Sequence, residues 1–535
     1  MGRRSSGALV ERHPLEGLFR ALLLLPFLIF AASALRFAWQ DLPGLGDVAQ
    51  LRAVNMPFAR LAGWIAGNAE PRLLPAPART APLPLLVDWL IWHFVAASPR
   101  ALRAAHILIA MIGLAVLIRA LSLRIDRRVA LIAGLLIALS PRVVAAVIGI
   151  GPNPFIFALF CCLLAIVLTR GKMGGPVPLL MFTAIAAALG LCGIAGMLAA
   201  ASLFLPFLLS AANRADAWRR LGALALILPV WLPPLVEQIL DGTRTEAMTP
   251  QGLVVLTSKL IAHNADLVLM PGAALMLGGT ALLILIGLRG LMRRRRRNGA
   301  AENDHPVALL FAAAATGAVL VLLGGPLLRL YPWLDPSAQN WLVLLTILLA
   351  AVCFTPRLVP TAPAIRRARS IALVMALCGS AIGTLIYHHH ANWFASGPER
   401  GLRQALAQTG SNRALIYASY DWGRVYFAHA WAAPDDNEQW LLSLDGKSAQ
   451  RVLPGGRLLD PQPLASLDGY DALIIARVER RGWRELSALV AGDIVGAVPP
   501  APLRGLPTAW RPEPPQAAPG EVWLTTQILK KRSAF

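Results

Sequence analysis

The chain has 535 residues, of which 56% are hydrophobic and only 15% charged, and its formal charge is +21. That balance excludes an ordinary soluble globule, and the basic excess does not point to nucleic acid, because the arginines gather in short loops between apolar runs, where they orient membrane helices. Apolar runs of about 17–25 residues recur, each long enough as a helix to cross roughly 30 Å of hydrocarbon, with no ten-residue alternation of a barrel, so the expected class is a polytopic α-helical membrane protein.

The first apolar segment covers 18–37 and follows Arg3, Arg4 and Arg12, which places the N-terminus in the cytoplasm. Ala32-Ser33-Ala34 also fits a weak signal-cleavage pattern. Either way the next loop, 38–100, faces outward. It opens with Gly44-Leu45-Gly46-Asp47-Val48-Ala49-Gln50-Leu51-Arg52 and ends in 84–94 (PLLVDWLIWHF), a short apolar stretch rich in tryptophan that carries Asp88 and His93. The stretch suits an interfacial helix better than a span. If it crossed the membrane, the basic loop 119–128 would face outward, against the positive-inside rule.

Further spans are expected at 102–120, 129–149, 154–169, 176–192, 195–212, 220–239, 266–290, 306–325, 339–355 and 370–387, about eleven in all. With this count Arg170 and Lys172, then Arg214, Arg219 and Arg220, then 293–297, then Arg357, Arg366, Arg367 and Arg369 all fall inside. The outer side receives 149–154, 241–264, 325–338 and everything after 387. Small residues such as Ala273, Ala274, Gly278 and Gly279 suggest close helix packing. Cys161, Cys162, Cys192, Cys353 and Cys378 all lie in apolar runs without metal spacing and read as small core residues.

From about 391 the composition turns more charged and proline-rich. β-like runs at 413–420, 472–478 and 522–529, with a helical pattern at 482–490, predict a small α/β domain over 391–535 on the extracytoplasmic side of a transmembrane domain spanning 1–390. The proline-rich stretch 499–520 reads as an irregular excursion.

The order of these features resembles a known family: an N-terminal span, an outer loop opening on Gly46-Asp47-Val48-Ala49, a Pro82-Leu83-Pro84 helix rich in aromatics, then the block 100–141 (RALRAAHILIAMIGLAVLIRALSLRIDRRVALIAGLLIALSP). It is similar to the GT-C membrane glycosyltransferases, in particular the group of protein O-mannosyltransferases and lipid A aminoarabinose transferases. The resemblance covers about 15–390, with its specific part at 44–170. It implies a GT-C-like, multi-pass protein of the inner membrane with a periplasmic C-terminal domain. It also implies transfer of a sugar from a polyprenyl-phosphate donor to an envelope acceptor, among membrane lipids. In that family an acidic residue early in the first outer loop is essential, and the matching position is Asp47, with Asp41 as a substitute upstream. The chain departs from the pattern at Val48, where many relatives carry a second acid, at Ala81-Pro82-Leu83-Pro84 in place of a His-Pro-Pro or Lys-Pro-Pro run, and at Asn153, where an Asp often stands.

A carboxylate at the membrane surface can take a proton from the acceptor and stabilise positive charge on the sugar ring, which suits Asp47. Equally, an Asp ahead of Val48-Ala49-Gln50 fits a helix N-cap. For the donor phosphate the candidates are Arg52, Arg244, Lys259 and Arg329 on outer loops. Asp88 and His93 are candidates for the acceptor side, or interfacial anchors. Glu237 and Asp241 lie near the outer end of a span and are candidates to assist the base or hold a divalent cation, the one cofactor in view. His388-His389-His390 reads as an interfacial junction. Two other functions compete: a non-catalytic GT-C-like scaffold or binding protein of an envelope glycan pathway, and a lipid-linked sugar flippase.

The map is checked with single cysteines in intact cells. Asn298→Cys, beside the densest basic loop, is expected to be shielded from an impermeant thiol reagent, and Thr243→Cys to be labelled. The reverse pattern inverts the topology.

Overall fold

A computed structural model of the protein describes residues 21–38, 50, 54, 57–59, 61, 81–169, 176–209, 211, 213–242, 271–298, 305–321, 340–355, 362–385, 413–418, 438–442, 448–453, 457–458, 462–463, 470–478, 510–512, 516–517 and 524–531. The helices are α1 (Leu25–Ala38), α2 (Pro82–Phe94), α3 (Pro99–Arg124), α4 (Arg127–Ala138), α5 (Pro141–Ile148), α6 (Asn153–Thr169), α7 (Pro176–Gly190), α8 (Ile194–Leu209), α9 (Arg214–Gly242), α10 (Pro271–Asn298), α11 (His305–Val319), α12 (Asn340–Val352) and α13 (Pro363–Leu385). Among the described residues α3 and α13 are long and apolar enough to cross a membrane, and shorter apolar helices of 10–17 residues occupy other expected segments. The eleven crossings therefore stay an expectation of the sequence.

Helix ends follow local chemistry. Before α3, the Ser98 hydroxyl accepts from the Ala101 amide at 3.2 Å and Pro99 opens the first turn, where its missing N–H costs nothing. The 26 residues of α3 span about 39 Å. Asp126 then caps α4, accepting from the Arg128 amide at 2.7 Å. The span expected at 129–149 is not one helix. Ser140 and Pro141 divide it into α4 and α5, because proline cannot donate to the preceding turn and the Ser140 hydroxyl offers the Val143 amide a new cap. Two turns need glycine: Gly151, at φ +153°, between α5 and α6, and Gly193, at φ +101°, between α7 and α8.

One large buried cluster joins α1 and α3 to α13. At its centre α3 crosses α6 so closely that a Cβ added to Gly113 would stand 2.6 Å from the Ala158 Cα. Gly279 lies in the same way on the α13 backbone, and Gly190 lies under the Trp231 indole, whose N–H donates to the Ala186 carbonyl at 3.2 Å. Small residues thus do what small residues do in apolar bundles, letting backbones touch so that dispersion replaces the missing hydrophobic drive. Outward faces are also apolar: Leu108 and Ile112 on α3, Leu228 and Leu232 on α9, Ile371 and Val374 on α13 are all exposed. A helix that is apolar on both sides belongs in hydrocarbon.

Two arginines fasten helix ends. Arg220, buried on α9, donates to the Phe207 carbonyl of α8, stands 4.7 Å over the Phe207 ring and pairs with Asp216 at 2.8 Å. Arg369 on α13 donates to the Thr355 carbonyl at 3.4 Å and stands 4.4 Å over Phe354. Both cations sit on the carboxyl end of the preceding helical segment, where the backbone dipole favours them.

The C-terminal region forms a sheet of β1 (Arg413–Ala418), β2 (Glu438–Leu442), β3 (Ser448–Leu453), β4 (Arg457–Leu458), β5 (Gln462–Pro463), β6 (Ala472–Val478), β7 (Trp510–Pro512), β8 (Gln516–Ala517) and β9 (Leu524–Lys531). The order is β4-β3-β2-β1-β6-β9-β7, with β1 parallel to β2 and β6 and the remaining pairs antiparallel. The three expected runs appear as β1, β6 and β9. Buried Ala414 to Tyr417 and Ala472 to Ile474 make the continuous apolar core that central parallel strands need. The helix expected at 482–490 lies outside the described residues.

Gly113→Val forces the α3–α6 seam apart and is expected to cost about 1–3 kcal/mol. Gly222→Ala, on α9 with nothing within 4 Å of the added methyl, should gain up to about 1 kcal/mol. Thermal unfolding of the purified protein in detergent measures both, and equal midpoints for the two variants contradict the packing described.

Candidate functional site

α2 is too short to cross a membrane and has two faces. Pro84, Leu85 and Asp88 are buried, while Leu86, Leu90 and Phe94 are exposed. Its first turn is tied to the bundle by the Leu83 amide, which donates to the Leu191 carbonyl in the α7–α8 turn at 3.1 Å. Its buried face packs with Val54 and Leu61 of the preceding loop, Leu102 of α3 and Ile150 of the α5–α6 turn. The loop after α1, the starts of α3 and α6 and the turn after α7 thus meet at one end of the bundle. The sequence assigns every one of these segments to the same side.

Within that apolar patch lies a polar cluster. Asp88 and His106 are both fully buried, and the Asp88 Oδ1 stands 2.6 Å from the His106 Nε2. The second carboxylate oxygen accepts from the Gln50 side-chain amide at 3.1 Å. The other ring nitrogen of His106, Nδ1, donates to the Gly149 carbonyl at 3.2 Å. Phe155, at the start of α6, meets the imidazole in a T-shaped contact with centroids 5.2 Å apart. Both ring nitrogens face oxygen acceptors, so the arrangement is satisfied when the pair holds two protons, one on Nδ1 and one shared with Asp88. As a unit it is then electrically neutral, which is the state that burial tolerates. Arg103, one turn before His106 on α3, is also buried.

His93 has no part in this cluster. It is exposed on the far side of α2, stacked on Trp89 at 4.3 Å between ring centroids, and its Nδ1 donates to the Trp89 carbonyl at 3.0 Å. Phe58 and Phe94 complete an aromatic patch around Trp89. Such rings suit the boundary between lipid and water.

Of the other candidates, Glu237 and Asp241 stand on the last turns of α9. Asp41, Asp47, Arg52, Arg244, Lys259, Arg329 and the run His388-His389-His390 lie outside the described residues. Among the described residues no group of three His, Cys, Asp or Glu side chains gathers as a metal site. Sequence reasoning singled out Asp88 and missed its partners. The signal for His106 was present, since an ionisable residue inside an apolar span is a functional candidate by default. Gln50 carried none, because a glutamine three residues beyond an acid is an ordinary loop residue until its partner is known.

No protein-family profile matches the chain, and no curated protein matches it. The chain is similar in structure to ArnT from Cupriavidus metallidurans in the apo state, at 14% identity and a TM-score of 0.39, over 96% of this chain and 98% of that one. The same ArnT bound to undecaprenyl phosphate is similar at 13% identity and a TM-score of 0.36, with the same coverage.

A buried pair behaves asymmetrically under mutation. His106→Leu leaves the Asp88 carboxylate without its main donor and should cost about 3–5 kcal/mol, whereas Asp88→Leu combined with His106→Leu removes both and should cost much less. The two unfolding midpoints in detergent decide it. A double variant less stable than the single contradicts the pairing.

Proposed function

We propose that the chain transfers a sugar from a polyprenyl-phosphate donor to an acceptor of the cell envelope, on the outer face of the inner membrane, with Asp47 as the base. The observation that carries this reading is the joining of Gln50, Asp88, His106 and Gly149 at one end of an apolar helical bundle. These residues come from segments that the positive-inside pattern places outside, and Gln50 is three residues from Asp47 in the run that carries the family resemblance.

The reaction asks little of the protein beyond placement and charge. The acceptor hydroxyl gives its proton to the Asp47 carboxylate as its oxygen bonds to the anomeric carbon. The bond from that carbon to the phosphate oxygen breaks, and polyprenyl phosphate departs as the anion. Arg52, Arg244, Lys259 and Arg329 are the proposed phosphate ligands. Glu237 and Asp241 are proposed to assist the base. The aromatic patch of Phe58, Trp89, His93 and Phe94 would sit among lipid headgroups and tails.

Val48 and Asn153 favour a second reading, a scaffold that keeps the fold without the reaction. A flippase is less well supported, because Asp88 lies on α2, which is too short to span, and Arg103 and His106 lie in the first third of α3 and not at mid-span. Asp47→Asn separates the first two. It keeps the size and capping ability of Asp but removes the charge, so transfer of radiolabelled sugar from a polyprenyl donor in membranes, normalised to protein level, should fall about 10²- to 10⁴-fold. Asp41→Asn should be much milder. Wild-type rates in Asp47→Asn make Asp47 a helix cap, and no transfer by the wild type with any donor leaves the scaffold.

A further inference from the structure

From the geometry around Asp88 we infer that Asp88 and His106 form a positioning clamp, which holds the loop after α1 in one register through Gln50 and so sets where Asp47 stands. The last step rests on the reading of Asp47 as the base. The clamp itself does not.

Two observations combine. The loop is held at the bundle end by apolar contacts of Val54 and Leu61, both fully buried against Leu85, Leu102 and Ile150. Apolar contact is non-directional, so a patch of this kind would hold the loop in more than one register. The polar contacts are directional: Gln50 to Asp88 at 3.1 Å, Asp88 to His106 at 2.6 Å, His106 to Gly149 at 3.2 Å. They run as a chain from the loop through α2 and α3 to the α5–α6 turn, and each link ends on a different segment.

A carboxylate in this patch has to find donors, and only one loop register supplies the Gln50 amide to its second oxygen. A slip that takes the Gln50 amide away from Asp88 leaves a buried carboxylate oxygen without its donor. A single polar group that fixes register is an attested use of buried polarity. Gln50 is three residues from Asp47 in the sequence, so a tether at Gln50 acts close along the chain to the proposed base. A base must stand within hydrogen-bond reach of its proton, and a displacement of about 1 Å suffices to cost activity. Asp88 and His106 are too deeply buried to touch substrate. They act on the reaction by placing the loop.

The test reads the clamp without needing activity. Full-length protein in detergent carries Val54→Cys, and maleimide labelling at each cysteine is followed by mass spectrometry. Buried Cys161 and Cys192 report whether the bundle stays folded, and Phe58→Cys, half exposed, is the reactive control. Gln50→Leu removes the tether and leaves the Asp88–His106 pair intact. It should raise labelling at position 54 by about tenfold or more while Cys161 and Cys192 stay protected. Asp88→Leu with His106→Leu should do the same, and His106→Gln, which keeps a donor toward Asp88, should stay near the parent. Unchanged labelling at position 54 in Gln50→Leu, with Phe58→Cys reactive, overturns the clamp.

A second arm measures sugar transfer. Gln50→Leu should lower kcat about tenfold with the KM for the polyprenyl donor unchanged, and His106→Gln should restore most of what His106→Leu loses. Full transfer by a protein whose position 54 has become reactive overturns the link to Asp47. Absence of transfer in the parent protein defeats the proposed reaction and leaves the labelling result to decide the clamp alone.

Discussion

The end of the bundle that brings Gln50, Asp88, His106 and Gly149 together is organised by one constraint, a carboxylate with no exposure to water. An isolated ionised Asp in apolar surroundings is untenable, so the chain around Asp88 has to bring donors to both of its oxygens. One comes from α3, the other from the loop after α1, and the imidazole that serves the first oxygen is itself anchored to the carbonyl of Gly149. Four stretches of chain are therefore located by the needs of one side chain. Apolar contacts around it exclude water, which strengthens each of these bonds in turn.

That cluster depends on a seam two turns further along. Gly113 lets α3 lie against the backbone of α6 at Ala158, and the closeness is inherited by residues nearer the helix ends: His106, seven residues before Gly113, meets Phe155, three before Ala158. A side chain at position 113 would push the helices apart, and the imidazole would lose either Phe155 and Gly149 on one side or Asp88 on the other. Packing inside the bundle and geometry at its end are thus one problem, which is why small residues matter to a site they do not touch.

Hydrophobic periodicity and charge made much of the helical layout legible, because in apolar chains these signals run over long windows. The break at Ser140-Pro141 was readable in principle, since proline removes a donor and serine caps, yet the apolar run continues across it and masked the signal. In the C-terminal sheet, β1, β6 and β9 were foreseen because apolar residues concentrate there. β2 and β3 (EQWLL and SAQRVL) carry polar residues and escaped notice, since pairing to a neighbour and not composition makes them strands. Asp88 and His93 are five residues apart on one helix, about 500° of turn, which separates them by roughly 140° around the axis. That separation is what the structure has: one buried, the other stacked on Trp89 in the open. The partners of Asp88 needed tertiary contact across 18 and 38 residues, which no local pattern encodes.

The two faces of α2 then explain why so short a helix stands where it does. Thirteen residues reach about 20 Å, less than the hydrocarbon thickness, so α2 cannot satisfy itself as a crossing. Leu86, Leu90 and Phe94 recur at intervals of four and form an exposed apolar stripe, while Leu85 and Asp88 face the bundle. A helix with lipid-seeking residues on one side and a buried ion pair on the other is held against both, and it has little freedom to roll: rotation toward solvent would strand Asp88, and rotation inward would force Leu90 and Phe94 onto a polar cluster. Gln50, Val54 and Leu61, which precede α2 in the chain, are fastened to its buried face, so their position relative to the bundle is fixed by the same balance.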